Sequence, residues 1–340
     1  MNLFKLDYRM QKPLLICLTS TRNYAWVTKA FLKANSIWAD YIIIVDQMST
    51  DGTKELALSY PNVILIENED LTYSETKRVE LAVNRARQIK GDKILFYLAI
   101  DEVLSANYVE TKDWGRILNS APRDVFCLTW ANLLPDKKSY FQMCNSSSIP
   151  SWMARVFHDD GITPYDNEGL DMHTHCIPYP KKDFHEYLVA DFKILHFAFF
   201  NEQWDRAKQR YYQFVDFDKN KRTATSLSRM YHQNIVREAR PIPSSWLYLK
   251  TIHGFDLFDE IDMSMSPFLD LETLNFIKKN GMRRYRKLDV WDKQFLEKFD
   301  LKDPRNNFIK LFHFYLKLTR NYSKTKFVRM IDKILKVIGA

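Results

Sequence analysis

The chain of 340 residues is 46% hydrophobic and 14% aromatic with 12 prolines, which excludes a disordered, collagen-like or small disulfide-framework protein and leaves one large domain or two modest ones. Its eight glycines, at 52, 91, 115, 161, 169, 254, 281 and 339, are scattered, so neither a dinucleotide-binding GxGxxG nor a phosphate-cradling GxxxxGK occurs. The whole net charge of +8 lies in 305–340, where nine basic residues face Asp332 alone; the remainder is neutral, which argues against a broadly basic nucleic-acid-binding body.

In chain order, the apolar run 13–18 predicts a strand. Trp26, Val27, Ala30 and Phe31 then recur at helical spacing over 24–33 behind an Asn23 cap. The β-branched run 41–45 predicts a parallel strand buried on both faces, followed by a short helix from about Thr53 and a strand at 63–66. A helix over 74–90 stops at Gly91, and a fourth strand over 93–99 ends at Asp101 and Glu102. Such βαβ repetition predicts an α/β fold with a mostly parallel sheet flanked by helices, its ligands beyond the carboxyl ends of the strands. Further strands are expected at 125–130, 152–157 and 192–199, then helices from Glu202 onward, broken at Pro241 and Pro243.

Cys17, Cys127, Cys144 and Cys176 form no CxxC, and the first residues lack an apolar signal core, so reduced thiols and a cytoplasmic location are expected. The apolar runs stay well short of the roughly 18 residues needed to span a bilayer, so any membrane contact is expected to be peripheral.

Three of the first four strands end in acids: Asp46, then Glu67 to Asp70, then Asp101 with Glu102. Crowded on one sheet edge, they repel one another unless a divalent cation or a ligand rich in hydroxyl and N–H groups holds them. Taken singly, each also suits a helix cap.

IIIVDQMSTDGT at 42–53 resembles the segment of family 2 glycosyltransferases in which an apolar strand runs into Asp, two variable positions, Ser, Thr, Asp, Gly and Thr. LTSTRNYAWV at 18–27 is similar to the family's first strand with the Arg-Asn after it, and FYLAIDEVLS at 96–105 to its acidic metal segment. The resemblance implies a GT-A fold and an inverting, metal-assisted transfer of a sugar from a nucleotide-sugar donor, UDP-linked, to a hydroxyl acceptor on a lipid-linked or surface glycan. It puts Thr19 and Asp46 on the nucleoside, Ser49, Asp51 and Gly52 in the floor of the donor pocket, and Arg22 and Arg78 towards the donor. Asp101, beside Glu102, would meet Mn²⁺ or Mg²⁺ with His196 as a further ligand, and Asp171 or Glu168 would take the acceptor proton.

Other readings stand beside these. Glu75, Lys77, Arg78 and Glu80 also describe a solvated helix face, His196 also suits a buried structural histidine, and Asp171 and Glu168 also suit surface loop acids. His173, His175 and Cys176 are too crowded for structural zinc without a second spaced pair. Where the family has Asp-Ala-Asp-Glu, this chain has Ala99-Ile100-Asp101-Glu102. The missing first acid opens a second reading, a nucleotide-sugar- or carbohydrate-binding protein on the same fold without turnover. The expected organisation is a catalytic domain over 1–215, with its donor half at 1–105 and acceptor half at 106–215, a helical extension over 216–303 and a basic tail over 304–340.

In the tail, Phe308, Leu311, Phe312, Tyr315 and Leu318 share one helical face with Lys310, His313, Lys317 and Arg320 on another. Phe327, Met330, Ile331, Ile334 and Ile338 do the same against Lys326, Arg329, Lys333 and Lys336. Two basic amphipathic helices are predicted, suited to an anionic membrane surface or to packing on protein. Oligomer formation is left open.

Overall fold

The apolar runs of the N-terminal half form strands whose two faces are both covered. In the computed structural model, which describes residues 12–72, 74–143, 151–165, 176–220, 222–231 and 238–337, the chain begins β1 (Leu14–Thr21), α1 (Ala25–Asn35), β2 (Tyr41–Asp46), α2 (Thr53–Leu58), β3 (Val63–Glu67), α3 (Glu75–Arg87) and β4 (Lys93–Tyr97). It continues with β5 (Glu102–Leu104), α4 (Lys112–Leu118), β6 (Val125–Leu128), β7 (Trp130–Leu133), β8 (Ser139–Phe141), β9 (Met153–His158), β10 (Glu186–Leu188) and β11 (Ile194–His196). Then come α5 (Glu202–Asn220), α6 (Ala224–Tyr231), β12 (Arg240–Pro241), α7 (Lys250–His253), α8 (Leu269–Asn280), α9 (Lys293–Lys298), α10 (Asn307–Leu318) and α11 (Lys326–Val337). The chain divides into two compact units, Met1–Ala198 with Ala239–Met265, and Phe199–Glu238 with Ser266–Ala340.

Among the described residues the first unit holds a seven-stranded sheet in the order β10-β6-β9-β4-β1-β2-β3 and a five-stranded sheet in the order β12-β8-β7-β11-β5. The run β4-β1-β2-β3 is parallel throughout, and β9 enters antiparallel between β4 and β6. Strand alternation sends Leu15, Cys17, Ile42, Ile44 and Phe96 to one face, where they pack with Phe31, Trp38, Trp114 and Phe192. Ile16, Leu18, Ile43, Val45 and Leu95 go to the other face, under Val79, Ala82 and Val83 of α3. Burial on both faces is why these strands read as unbroken apolar runs rather than as alternation.

The sequence places the first unit's boundary at 215, inside α5, and assigns 239–265 to a helical extension; the compact unit instead ends at Ala198 and takes in Ala239–Met265. Non-local bonds draw that segment in. β12 pairs with β8 as an edge strand, where the missing N–H of Pro241 is tolerated. The Tyr248 hydroxyl donates to the Leu104 carbonyl at 3.0 Å, and Glu260 receives Lys29 at 2.8 Å and Lys33 at 2.6 Å.

The second unit is helical. Phe214, Leu227, Ile277, Tyr285, Trp291, Phe295, Phe312 and Leu316 form its core. Arg229 ties α6 to the last two helices, donating to Asp332 at 2.8 Å and to the Leu316 carbonyl at 3.0 Å. The two predicted tail helices are present as α10 and α11, but α10 turns differently from the predicted stripe. Ile309, Phe312, His313 and Leu316 face the core, whereas Phe308, Leu311, Phe314 and Leu318 are exposed. α10 is apolar on nearly every side, so the core selects one face and leaves another uncovered. No helix among the described residues is long and apolar enough to cross a membrane.

Candidate active site

The site is built where β1, β2 and β4 end side by side. Thr21 lies opposite Asp46 in the β1–β2 ladder and Thr19 opposite Ile44, so alternation puts Thr19, Thr21 and Asp46 on one face. All three are buried. Asp46 Oδ2 accepts the Ser49 N–H at 2.9 Å, while Asp46 Oδ1 and the hydroxyls of Thr19 and Thr21 have no partner in the structure. Burial pushes the Asp46 carboxyl above its ordinary value. A buried carboxylate with one unused oxygen is costly unless a ligand donor reaches it, and a nucleobase N–H supplies such a donor.

The loops after β1 and β2 are laced together. Asn23 N–H donates to Ser49 Oγ at 2.8 Å, Thr50 N–H to Asn23 Oδ1 at 2.7 Å, Tyr24 N–H to Thr53 Oγ1 at 3.0 Å and Ala25 N–H to Asp51 Oδ2 at 2.9 Å. Asp51 Oδ1 also accepts the Thr53 N–H at 3.1 Å. Asp51 thereby serves the start of α1 as well as that of α2, and Ser49 braces the β1 loop, so both carboxylate oxygens of Asp51 are engaged in holding the two loops. Asn23 does not cap α1 as predicted; at φ 56° it accepts from Thr50, and Asp51 supplies the α1 bond instead. Gly52 sits at φ 96°, a left-handed conformation that a side chain would strain. Arg22 follows β1 directly on this edge and is half-buried.

The acids after β3 do not join a shared cation site. Glu67 pairs with Lys54 at 3.1 Å and Asp70 with Lys77 at 2.8 Å, both at the surface. Arg78, at the carboxyl-edge end of α3, is buried with its Nε donating to the Ser74 carbonyl at 3.3 Å. The solvated-face reading therefore holds for Lys77 and not for Arg78.

Beyond β4 the chain turns at 98–101 instead of continuing as strand to 99, and Glu102 opens β5 in the second sheet. Glu102 is 1% exposed. Its Oε2 accepts the Ala99 N–H at 2.8 Å, and its Oε1 accepts the Trp130 indole N–H at 2.7 Å and Arg155 Nη2 at 3.3 Å. It braces the turn and ties it to β7 and β9. Asp101 Oδ2 lies 3.7 Å from His196 Nε2. His196 Nδ1 is 2.9 Å from Asn132 Oδ1, an acceptor, which puts a proton on Nδ1 and turns Nε2 towards Asp101. Trp130 stacks on the imidazole at 4.9 Å and 24°. These two donors suit a divalent cation, with Asn132 fixing the ring as an outer partner. Among the described residues no three His, Cys, Asp or Glu are grouped so that they could hold a metal ion, so such a cation would take its other ligands from a diphosphate and water.

The sequence misses Arg155 of β9. It is 6% exposed, lies over the rings of Tyr97 at 5.7 Å and Trp130 at 5.4 Å, and its Nε and Nη1 have no hydrogen-bond partner. A cation inside the apolar segment MARVFH was the available signal. Thr21, Trp130 and Asn132 were missed too, being inconspicuous until the register is known. Asp171 and Glu168, the expected proton acceptors, lie outside the described residues, as do His173 and His175.

No protein-family model matches this chain, and no curated protein matches it. Among solved structures it is similar to residues 1–349 of S. aureus TarS, with 12% identity and a TM-score of 0.38 over 84% of this chain and 78% of that one. Against a longer TarS structure the identity is 11% and the TM-score 0.39, over 94% of this chain and 55% of that one. The inositol-1-phosphate CTP transferase of T. maritima gives 8% and 0.37, over 54% and 89%. At such identities and scores, activity has to be read from this chain's own residues.

Proposed function

We propose that this protein is a nucleotide-sugar-dependent glycosyltransferase of the GT-A type, transferring a sugar from a UDP-linked donor to a hydroxyl acceptor with inversion. One observation carries the reading: the buried Asp46, with an unused oxygen beside Thr21, shares a sheet edge with the Asp101–His196 pair. In this reading Asp46, Thr19 and Thr21 receive the nucleoside, and Arg22, Arg78 and Arg155 face its phosphates. Guanidinium groups neutralise a departing diphosphate through paired N–H bonds. Asp101 and Nε2 of His196 would hold Mn²⁺ or Mg²⁺, which when bound offsets charge on the leaving group. The acceptor proton goes to Asp171 or Glu168.

Thermal shift with nucleotide sugars, with and without Mn²⁺, combined with release of nucleoside diphosphate, tests this. Stabilisation by a UDP-sugar together with release of UDP is the expected result; no stabilisation by any nucleotide sugar overturns it. Ala99, which offers no carboxylate, favours the second reading, a binding protein without turnover. Stabilisation with no UDP release over a range of acceptors would establish that one.

A further inference from the structure

The last two helices of the second unit carry a run of exposed apolar side chains. On α10, Phe308, Leu311, Phe314 and Leu318 are 60–66% exposed, and on α11, Phe327, Met330, Ile334 and Val337 are 54–87% exposed. Cations lie among them: Lys310 and Lys317 on α10, Lys324 in the connection, and Lys326, Arg329, Lys333 and Lys336 on α11, all exposed. The stretch's one acid, Asp332, is turned inward and engaged by Arg229 at 2.8 Å and by the Tyr315 hydroxyl at 3.0 Å. Lys310 comes no nearer to an acid than 3.7 Å, from Asp303.

The same α10 face borders a cavity of about 740 Å³ whose lining includes Arg206, Arg305, Lys310, Phe314, Lys317 and Arg320. Arg305 and Arg320 already face Asp303 and Asp289 at 2.9 Å and 3.9 Å. Lys317 has no acid within ion-pair distance among the described residues. Asp205, Asp289 and Asp292 also line the cavity, Asp292 being engaged by Arg210, so six Lys and Arg side chains face three acids and net positive charge lies beside exposed aromatic and aliphatic side chains.

We infer that the α10–α11 face seats on an anionic lipid bilayer, its apolar row entering the acyl boundary and its lysines and basic cavity meeting lipid phosphates. Exposed large apolar groups in a row, with cations beside them and no exposed acid, are the pattern of a helix lying in a membrane interface. A second copy of this chain fits worse, since a two-fold interface through this face would set its cations against their own copies. An acidic protein would match the cations but needs an apolar face of its own.

Co-sedimentation of the full chain with vesicles tests the inference without any nucleotide sugar, so its outcome is separate from that of the proposed activity. Vesicles of phosphatidylglycerol mixed with phosphatidylcholine should bind the protein, and pure phosphatidylcholine should not. Neutralising Lys324, Lys326, Lys333 and Lys336 to Gln should weaken binding by about two orders of magnitude or more, at roughly fivefold per lysine. Leu311→Ser, Leu318→Ser, Met330→Ser and Ile334→Ser together should also abolish binding. All eight positions are exposed, so an unchanged melting temperature serves as the folding control. Binding equal to neutral and anionic vesicles, binding retained by either variant, or lipid-free dimerisation that the serine variant abolishes would each overturn the inference.

Discussion

The sheet edge of the first unit and the terminal helices of the second both concentrate charge, yet they treat it in opposite ways. Asp46 and Glu102 are taken out of water and met by backbone N–H, indole and guanidinium donors, while Asp101 lies beside His196, and one buried oxygen of Asp46 has no hydrogen-bond partner. The terminal cations are left in solvent, spread along two helices and interleaved with apolar groups. Buried charge with a specific unmet atom defines a small ligand in a fixed pose, because misplacing its partner leaves the desolvation cost in full. Exposed charge in a row defines an extended, sequence-blind surface whose strength follows ionic strength.

The sharpest way to break this contrast is at Glu102. If its carboxylate is structural, Glu102→Ala leaves Arg155 buried without its acid and the Ala99 turn unbraced, a loss of roughly 3–5 kcal/mol by analogy with other broken buried pairs. The measurement is denaturant unfolding. Glu102→Gln should recover part of the loss, since an amide oxygen in the place of Oε1 can still accept from Trp130 and Arg155. A Glu102→Ala protein that is fully stable but inactive would move Glu102 into the donor pocket.

Asp101 should behave in the reverse manner. Asp101→Asn retains the shape of the turn, so melting should barely change while UDP release falls by roughly 10²–10³-fold, the scale set by loss of one directed electrostatic partner. His196→Ala belongs with it. Asn132→Leu should weaken Mn²⁺ activation by roughly 10–100-fold by releasing the imidazole tautomer. If all three variants turn over normally with Mn²⁺ limiting, no cation sits between Asp101 and His196.

Much of the first hundred residues was legible because local and long-range preferences agree there: β-branched runs bounded by polar loops form parallel strands, Asp46 closes β2, and Asp101 lies in the turn that follows β4. The roles of Ser49 and Asp51 were not legible, since their bonds go to Asn23 and Ala25 across a loop pair that only the β1–β2 register brings together. The bonds of Glu102 were not legible for the same reason. Its partners Trp130 and Arg155 come from strands of different sheets, and nothing within 96–105 distinguishes a carboxylate facing a donor from one facing an indole. The face that α10 turns to the core was likewise beyond periodicity, as Ile309 and Leu316 compete with Phe308 and Leu311 on equal chemical terms.

Asp46 provides the smallest effect and the finest test. Its carboxyl is raised by burial, so in the folded protein the neutral acid is favoured relative to the unfolded chain. The stability this gives is fully present below the unfolded carboxyl pKa of about 3.9 and is lost as pH rises through the higher folded value. Asp46→Asn carries no charge to desolvate and its amide oxygen can still accept from Ser49. At neutral pH the variant should therefore melt at or slightly above the wild type, with the difference vanishing as the pH is lowered, while stabilisation by UDP is lost. A variant that melts well below the wild type at neutral pH would mean that Asp46 holds the loop, and that its open oxygen is not kept for a base.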